Sequence, residues 1–188
     1  MLIFLKRYNG FTLLELMTTV ALIALTLTVA APALTSMAER SKARESVKLI
    51  QRQLSLARVD AVATESRVTV CPLDTNNECS SDWNSTISAF TDDDNNRVRS
   101  NDERLISSIP ANLSAHILRS YNNKAISFDY RGFSGFNAGT FSYCVSGVAQ
   151  FGKALIISRI GRVREGEDRD GDGLQETASG KKIPCPQP

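Results

Sequence analysis

Gly10-Phe11-Thr12-Leu13-Leu14-Glu15-Leu16 opens an apolar run that continues to Pro32, and its reading decides how the rest of the chain is organised. A helix needs roughly 20 mainly apolar residues to cross the hydrocarbon core of a bilayer. Phe11 to Ala31 supplies that length with one charged side chain, Glu15. An ionised carboxylate in hydrocarbon costs on the order of 3 kcal/mol on insertion scales, so an intramembrane Glu is a functional residue that needs a positive partner. Lys6 and Arg7 in the short leader would hold that end on the cytoplasmic side. A secretory signal places its small residues after the apolar core, whereas here Gly10 comes before it, and a plain anchor leaves Glu15 without a purpose.

The order Gly10, Phe11, Thr12, Leu13, Leu14, Glu15 resembles the processing motif of the type IV filament proteins: pilins, minor pilins and the pseudopilins of type II secretion. The resemblance implies that a prepilin peptidase cuts between Gly10 and Phe11 on the cytoplasmic face and N-methylates Phe11. It implies that Glu15 pairs with the new amino group of a neighbouring subunit, so that other pilins in a filament are partners. It also implies a single-pass helix in the bacterial inner membrane, followed by transfer to a periplasmic or extracellular pilus.

With 188 residues, one long helix and one globular domain is the natural division. The expected parts are a prepilin leader at 1–10, a long helix at 11–63 with its transmembrane segment at about 11–31, and a β-rich globular domain at 64–188. Pro32 should kink the helix, because proline removes one helical hydrogen bond. Beyond it Val47, Ile50, Leu54, Ala57 and Ala61 recur at spacings of three and four, which predicts an amphipathic half packed on a sheet. After Glu65 the period becomes alternating. Val68 and Val70, then Ile87 to Phe90, Leu105 to Ile109, Leu113 to Leu118, Ala125 to Tyr130, Thr140 to Val145 and Ala154 to Ile160, read as strands separated by Asn-, Asp- and Gly-rich turns. The expected fold is α+β, type IV pilin-like: a long N-terminal helix, half transmembrane and half amphipathic, on an antiparallel β-sheet domain.

Cys71, Cys79, Cys144 and Cys185 all lie beyond the apolar segment, and an even count in an exported domain favours disulfides. Three pairings are open. We expect Cys71 with Cys79, closing the turn-rich stretch Pro72 to Glu78, and Cys144 with Cys185, tying down a Pro-rich tail. Zinc is the weaker reading, since no pair has close ligand spacing and His116 is the only histidine.

Cys71 and Cys79, Trp83, the acidic turn Asp92 to Asn96 and the element Gly161-Arg162-Val163-Arg164 before Cys185 together resemble the FimT/FimU-type minor pilins and the related H-type pseudopilins. In the FimT-like proteins a Gly-Arg-x-Arg element is associated with DNA capture in natural transformation. The resemblance therefore implies a minor pilin that aids pilus assembly and binds duplex DNA without sequence preference; the alternative is a type II secretion pseudopilin with no DNA role. Lys153, Arg159, Arg162 and Arg164 fall in a stretch free of acidic residues, and Arg162 and Arg164 on alternate extended positions would face one side. Each guanidinium can hold a phosphate through paired hydrogen bonds. Lys181 and Lys182 are candidates to enlarge the patch. The competing reading is that the arginines only neutralise the acidic run Glu165, Glu167, Asp168, Asp170 and Asp172.

That run has a candidate role as a weak calcium site. Asp168, Asp170, Asp172 and Gly173 match the first half of an EF-hand loop, with Glu176 at the ninth position, but Ser179 stands where a bidentate Glu belongs. Otherwise no metal or cofactor is expected. Trp83 reads as a core anchor and His116 as a surface strand residue. The chain has no metalloprotease helix, phosphate loop or nucleophile elbow, so no enzymatic activity is expected. Counting from Thr64, 14 basic and 16 acidic residues make the domain slightly acidic, so DNA contact must come from a local patch.

Overall fold

The computed structural model describes residues 11–112, 114, 117–145, 151–183 and 185, without the side chains at 29, 32, 33, 35, 36 and 39. Helix α1 spans Leu13–Ala63, and the chain divides into two compact units, Met1–Glu39 and Arg40–Pro188. Gly10, Lys6 and Arg7 of the leader lie outside the described residues, as do Leu113, Ala115 and His116.

In the first unit the helix starts where its capping chemistry directs. The Leu16 amide donates to the Thr12 carbonyl at 3.1 Å, and the Glu15 amide donates to Thr12 Oγ1 at 3.3 Å. This is the N-cap half of a capping box, with the Thr12 hydroxyl oxygen as acceptor. Phe11, Leu13, Leu14, Leu16, Met17, Val20, Leu22, Ile23, Leu25 and Leu27 are all exposed. Thr18, Thr19, Thr26 and Thr28 return their hydroxyls to the carbonyls of Glu15, Leu16, Ile23 and Leu25, so none of these donors is left for solvent. Among the described residues no helix is long and apolar enough to cross a membrane. The helix continues through Pro32 without interruption.

In the second unit the predicted stripe is buried. Ala43, Val47, Ile50, Leu54, Ala57 and Ala61 form one core with residues of both sheets. The strands are β1 Val68–Pro72, β2 Ile87–Thr91, β3 Leu105–Ile109, β4 Ile117–Tyr121, β5 Ile126–Phe128, β6 Gly139–Val145, β7 Phe151–Ile157 and β8 Val163–Glu165. They form two antiparallel four-stranded sheets, ordered β3-β2-β1-β5 and β4-β6-β7-β8, where the alternation had suggested strands without assigning them to separate sheets.

Three strand expectations need correction, the first being Ala125 to Tyr130, which narrows to Ile126–Phe128 because Asp129 turns the chain by accepting the Arg131 and Phe133 amides. Of the expected strand Leu113 to Leu118, β4 is described from Ile117, and Ser114 lies outside it: the Asn112 side chain donates to the carbonyls of Ser114 and Ile117 and accepts the Ser114 amide. The expected strand to Ile160 stops at Ile157, and the chain turns into β8, a strand the alternation did not reveal.

Trp83 is buried in the core, edge-on to Tyr121 of β4 and Phe141 of β6, with its indole N–H donated to the Asn123 carbonyl at 3.1 Å. Arg119 is also buried. It donates to the carbonyls of Asn84 and Ser85 at 2.6 and 3.1 Å and more weakly to Pro110, and burial lowers its pKa from the usual arginine value. Gln53 reaches from α1 to the carbonyls of Ile87 and Ser107, tying the helix to β2 and β3. Asp92, at the head of the acidic turn, is buried and accepts Thr69 Oγ1 at 2.6 Å, with Thr69 also bonded to Ser127.

The disulfides join Cys71 to Cys79 and Cys144 to Cys185. Behind the second, Leu174 and Ile183 are buried against Ala154 and Cys144 on the outer face of the second sheet. The tail fits there because Gly152 lacks a side chain. A Cβ at that position would lie 2.7 Å from Leu174 and 2.8 Å from Ile183.

Candidate nucleic-acid interface

Ser158 to Arg162 form the turn between β7 and β8. The Gly161 amide donates to the Ser158 carbonyl at 2.8 Å, the Ser158 amide to the Arg162 carbonyl at 3.0 Å, and the Arg162 amide to Ser158 Oγ at 3.1 Å. Gly161 has a φ of +75°, and a Cβ on it would stand 1.9 Å from the Gly132 carbonyl oxygen. Only glycine fits a left-handed residue pressed so closely against another backbone. Its role in the Gly-Arg-x-Arg element is thus to seat the turn on the neighbouring loop, 129–137.

Arg58, from the last turns of α1, joins the two loops from beneath, donating to the carbonyls of Gly132 at 3.0 Å and Ile160 at 3.4 Å. Sequence reasoning missed Arg58, Ser134 and Gly132 because their partners lie far away in the chain.

Arg159, Arg162 and Arg164 are exposed, and half-buried Val163 packs on the core between the last two. Arg164 pairs with Ile156, and Ile156 with Thr140, so these three residues share the outer face of the sheet. Among the described residues none of the three arginines forms an ion pair.

The acidic run that might have neutralised them is engaged elsewhere. Glu165 pairs with Lys153 at 3.5 Å, Glu167 with Arg169 at 3.6 Å, and Asp170 and Asp172 with Lys182 at 3.0 and 2.5 Å. Asp168 accepts the amides of Gly171 and Gly173.

The other candidate cations are placed differently. Lys153 lies on the opposite face of the sheet from Arg164, in register with core-facing Tyr143 and beside α1 residues Arg44, Val47 and Lys48, with its charge already on Glu165. Lys181 and Lys182 line a cleft of about 540 Å³ with Ser120, Thr140 and Ser142 on the outer face that also carries Arg164. Lys182 is held by the acidic turn. Its hydrogen bonds to Asp172 and Asp170 raise its pKa above the usual lysine value, and the bond from Lys182 holds the Asp172 carboxyl below the usual range.

Of the calcium candidates, Asp168, Asp170 and Glu176 bring one carboxylate oxygen each within 4.8 Å of one another. Asp172 turns its oxygens to the Leu174 amide and to Lys182. The Lys182 ammonium thus supplies a positive charge to this loop from within the chain.

An N-terminal helix beginning at a methylation motif, continued by a helical face buried on antiparallel sheets, defines the class: a type IV pilin-like protein. The chain belongs to the GspH family of type II transport proteins, whose model matches residues 46–161, and residues 5–31 match the prokaryotic N-terminal methylation motif. Two crystal forms of the type IV minor pilin FimU of Pseudomonas aeruginosa strain PAO1 are similar at 14% identity. The first covers 69% of this chain and 91% of that one with a TM-score of 0.49; the second covers 68% and 92% with a TM-score of 0.43. No curated protein matches the chain.

Proposed function

We propose that the protein is a minor type IV pilin that holds extracellular duplex DNA on Arg159 and Arg162 of the turn and Arg164 of β8, and serves DNA uptake in natural transformation. The observation that carries this reading is the division of charge around the turn. Of the acidic residues that follow it, Glu165, Glu167, Asp170 and Asp172 are paired with Lys153, Arg169 and Lys182 and Asp168 accepts loop amides, while the three guanidinium groups are exposed and without an ion pair among the described residues. Such groups contact phosphates and read no bases, so binding is without sequence preference.

In this reading a prepilin peptidase removes residues 1–10, Phe11 is N-methylated, and the apolar stretch from Phe11, although no helix among the described residues is long and apolar enough to cross a membrane, anchors the chain in the inner membrane before assembly. Its outward apolar side chains and self-satisfied threonines support that environment. Glu15 meets the amino group of a neighbouring subunit. Leu49, Leu56, Val59 and Val62, exposed on α1, are available to other pilins. The family's description as a type II transport protein supports a second reading, an H-type pseudopilin without a DNA role.

The test is a salt titration of duplex DNA binding by the full chain in neutral detergent. Neutralisation of two to four phosphates predicts a slope of log affinity on log salt of about −2 to −4. Arg162→Gln with Arg164→Gln should abolish binding with thermal stability unchanged, both residues being exposed. A double variant that binds like the wild type would leave the pseudopilin reading.

A further inference from the structure

Beside the arginine turn the surface carries aromatic rings that the core did not take. Phe136 is 95% exposed, and Tyr130, Phe133 and Ile160 are also exposed. An isolated exposed apolar residue is ordinary, but a group of large ones on one patch marks a binding surface.

The patch is not a frayed segment. Asp129 accepts the amides of Arg131 and Phe133 on Oδ1, both at 2.9 Å, and its own amide donates to the Phe133 carbonyl at 2.9 Å. The amides of Ser134 and Gly135 both donate to the Arg159 carbonyl, and Ser134 Oγ donates to the Ser158 carbonyl at 2.7 Å. Gly132 and Gly135 take the left-handed conformations that these closures need. The two loops are thus joined by hydrogen bonds into one platform, and its rings are exposed.

Cations are interleaved with the rings. The Arg131 guanidinium lies 5.3 Å from the centroids of both Tyr130 and Phe133, and that of Arg159 lies 5.9 Å from Phe136. Arg162 closes the same turn. Asp129 is the one acidic residue in the two loops, and its carboxylate is spent on loop amides and on Arg131 at 3.3 Å. An acidic peptide would satisfy the arginines and leave the rings in water. A chain that alternates flat apolar groups with anions satisfies both, and that is the chemistry of an unpaired nucleic-acid strand. Duplex DNA keeps its bases stacked internally and offers the rings nothing.

We infer that Tyr130, Phe133 and Phe136, with Arg131, Arg159 and Arg162, form a site for single-stranded DNA, bases stacking on the rings and phosphates meeting the guanidinium groups. The inference rests on the reading that the neighbouring arginine turn contacts DNA, and adds to it a preference for strand ends and unpaired stretches.

The experiment compares binding of oligothymidylate, a duplex of the same length and inorganic polyphosphate by the full chain in neutral detergent. The variants are Phe136→Ala, Phe133→Ala with Phe136→Ala, and Arg162→Gln with Arg164→Gln. Loss of one stacked base is expected to weaken oligothymidylate binding about fivefold to a hundredfold for Phe136→Ala, leave duplex and polyphosphate binding within about twofold, and leave the thermal midpoint unchanged. A fluorescent base analogue in the strand should change its emission on binding the wild type and not the double ring variant.

Equal oligothymidylate affinity in wild type and ring variants overturns the stacking site while leaving the duplex reading intact. An equal loss for polyphosphate also overturns it, since the rings would then merely position arginines. Absence of binding to either DNA form by the wild type refutes both readings. Loss of binding to anionic vesicles in the ring variants, with oligothymidylate affinity retained, would assign the platform to a lipid surface instead.

Discussion

Gly161 shows how one residue type joins fold to function. Its left-handed backbone and its contact with the Gly132 carbonyl place Arg159 and Arg162 on the surface. Gly161→Ala should cost at least about 1–3 kcal/mol from backbone strain, plus the separation of the two loops forced by the new methyl group. Urea denaturation measures the cost, and a change below about 0.5 kcal/mol would show that the turn tolerates a side chain. The Asp172 and Lys182 pair makes a prediction in pH. Asp172 has its folded pKa depressed below 3.8, so its contribution is present above that value and lost as pH falls through the depressed one. Lys182 has its folded pKa raised above 10.5, so its contribution is complete below 10.5 and lost as pH rises through the raised value. Both groups are on the surface, where screening keeps the effect on stability small. The sensitive measurement is therefore the carboxyl titration of Asp172 by NMR, which should move up toward the ordinary range in Lys182→Gln.

At the scale of elements, α1 is terminated by a device that the sequence concealed. The Ser66 amide returns to the Ala61 carbonyl at 3.2 Å across Glu65, which has a φ of +52°. This is a Schellman closure with glutamate where glycine usually stands. Glu65→Gly should raise stability by about 0.5–1 kcal/mol by relieving the left-handed strain, read as a higher urea midpoint; an unchanged or lower midpoint would contradict that account. Arg119 closes another junction. Arg119→Met should cost about 2–4 kcal/mol, because the carbonyls of Asn84, Ser85 and Pro110 would lose buried donors. Stripes and alternations were legible in the sequence because each is written within a few residues. The partition into two sheets and the partners of Arg58 and Arg119 were not, because they depend on contacts between residues tens of positions apart.

Over the whole molecule, the same distinction separates what the candidate interface revealed early from what it did not. Gly161, Arg162 and Arg164 could be singled out from a cationic stretch free of acidic residues and from its resemblance to a Gly-Arg-x-Arg element. That Lys153 lies on the opposite face, that Lys182 is held by Asp170 and Asp172, and that Phe136 stands beside Arg159 required the register and the loop closures. These contacts decide the charge available to a ligand, and composition alone could not show it. The account as a whole depends on the chain being a processed filament subunit, since an arginine turn on a protein that never leaves the membrane meets no extracellular DNA. The most direct measurement is mass spectrometry of the N-terminal peptide from the protein recovered in sheared filaments. The prediction is a chain that begins at N-methylated Phe11, with Gly10→Ala leaving an uncleaved precursor in the membrane. A recovered chain that begins at Met1, or one cut after the apolar run near Ala31, would contradict it.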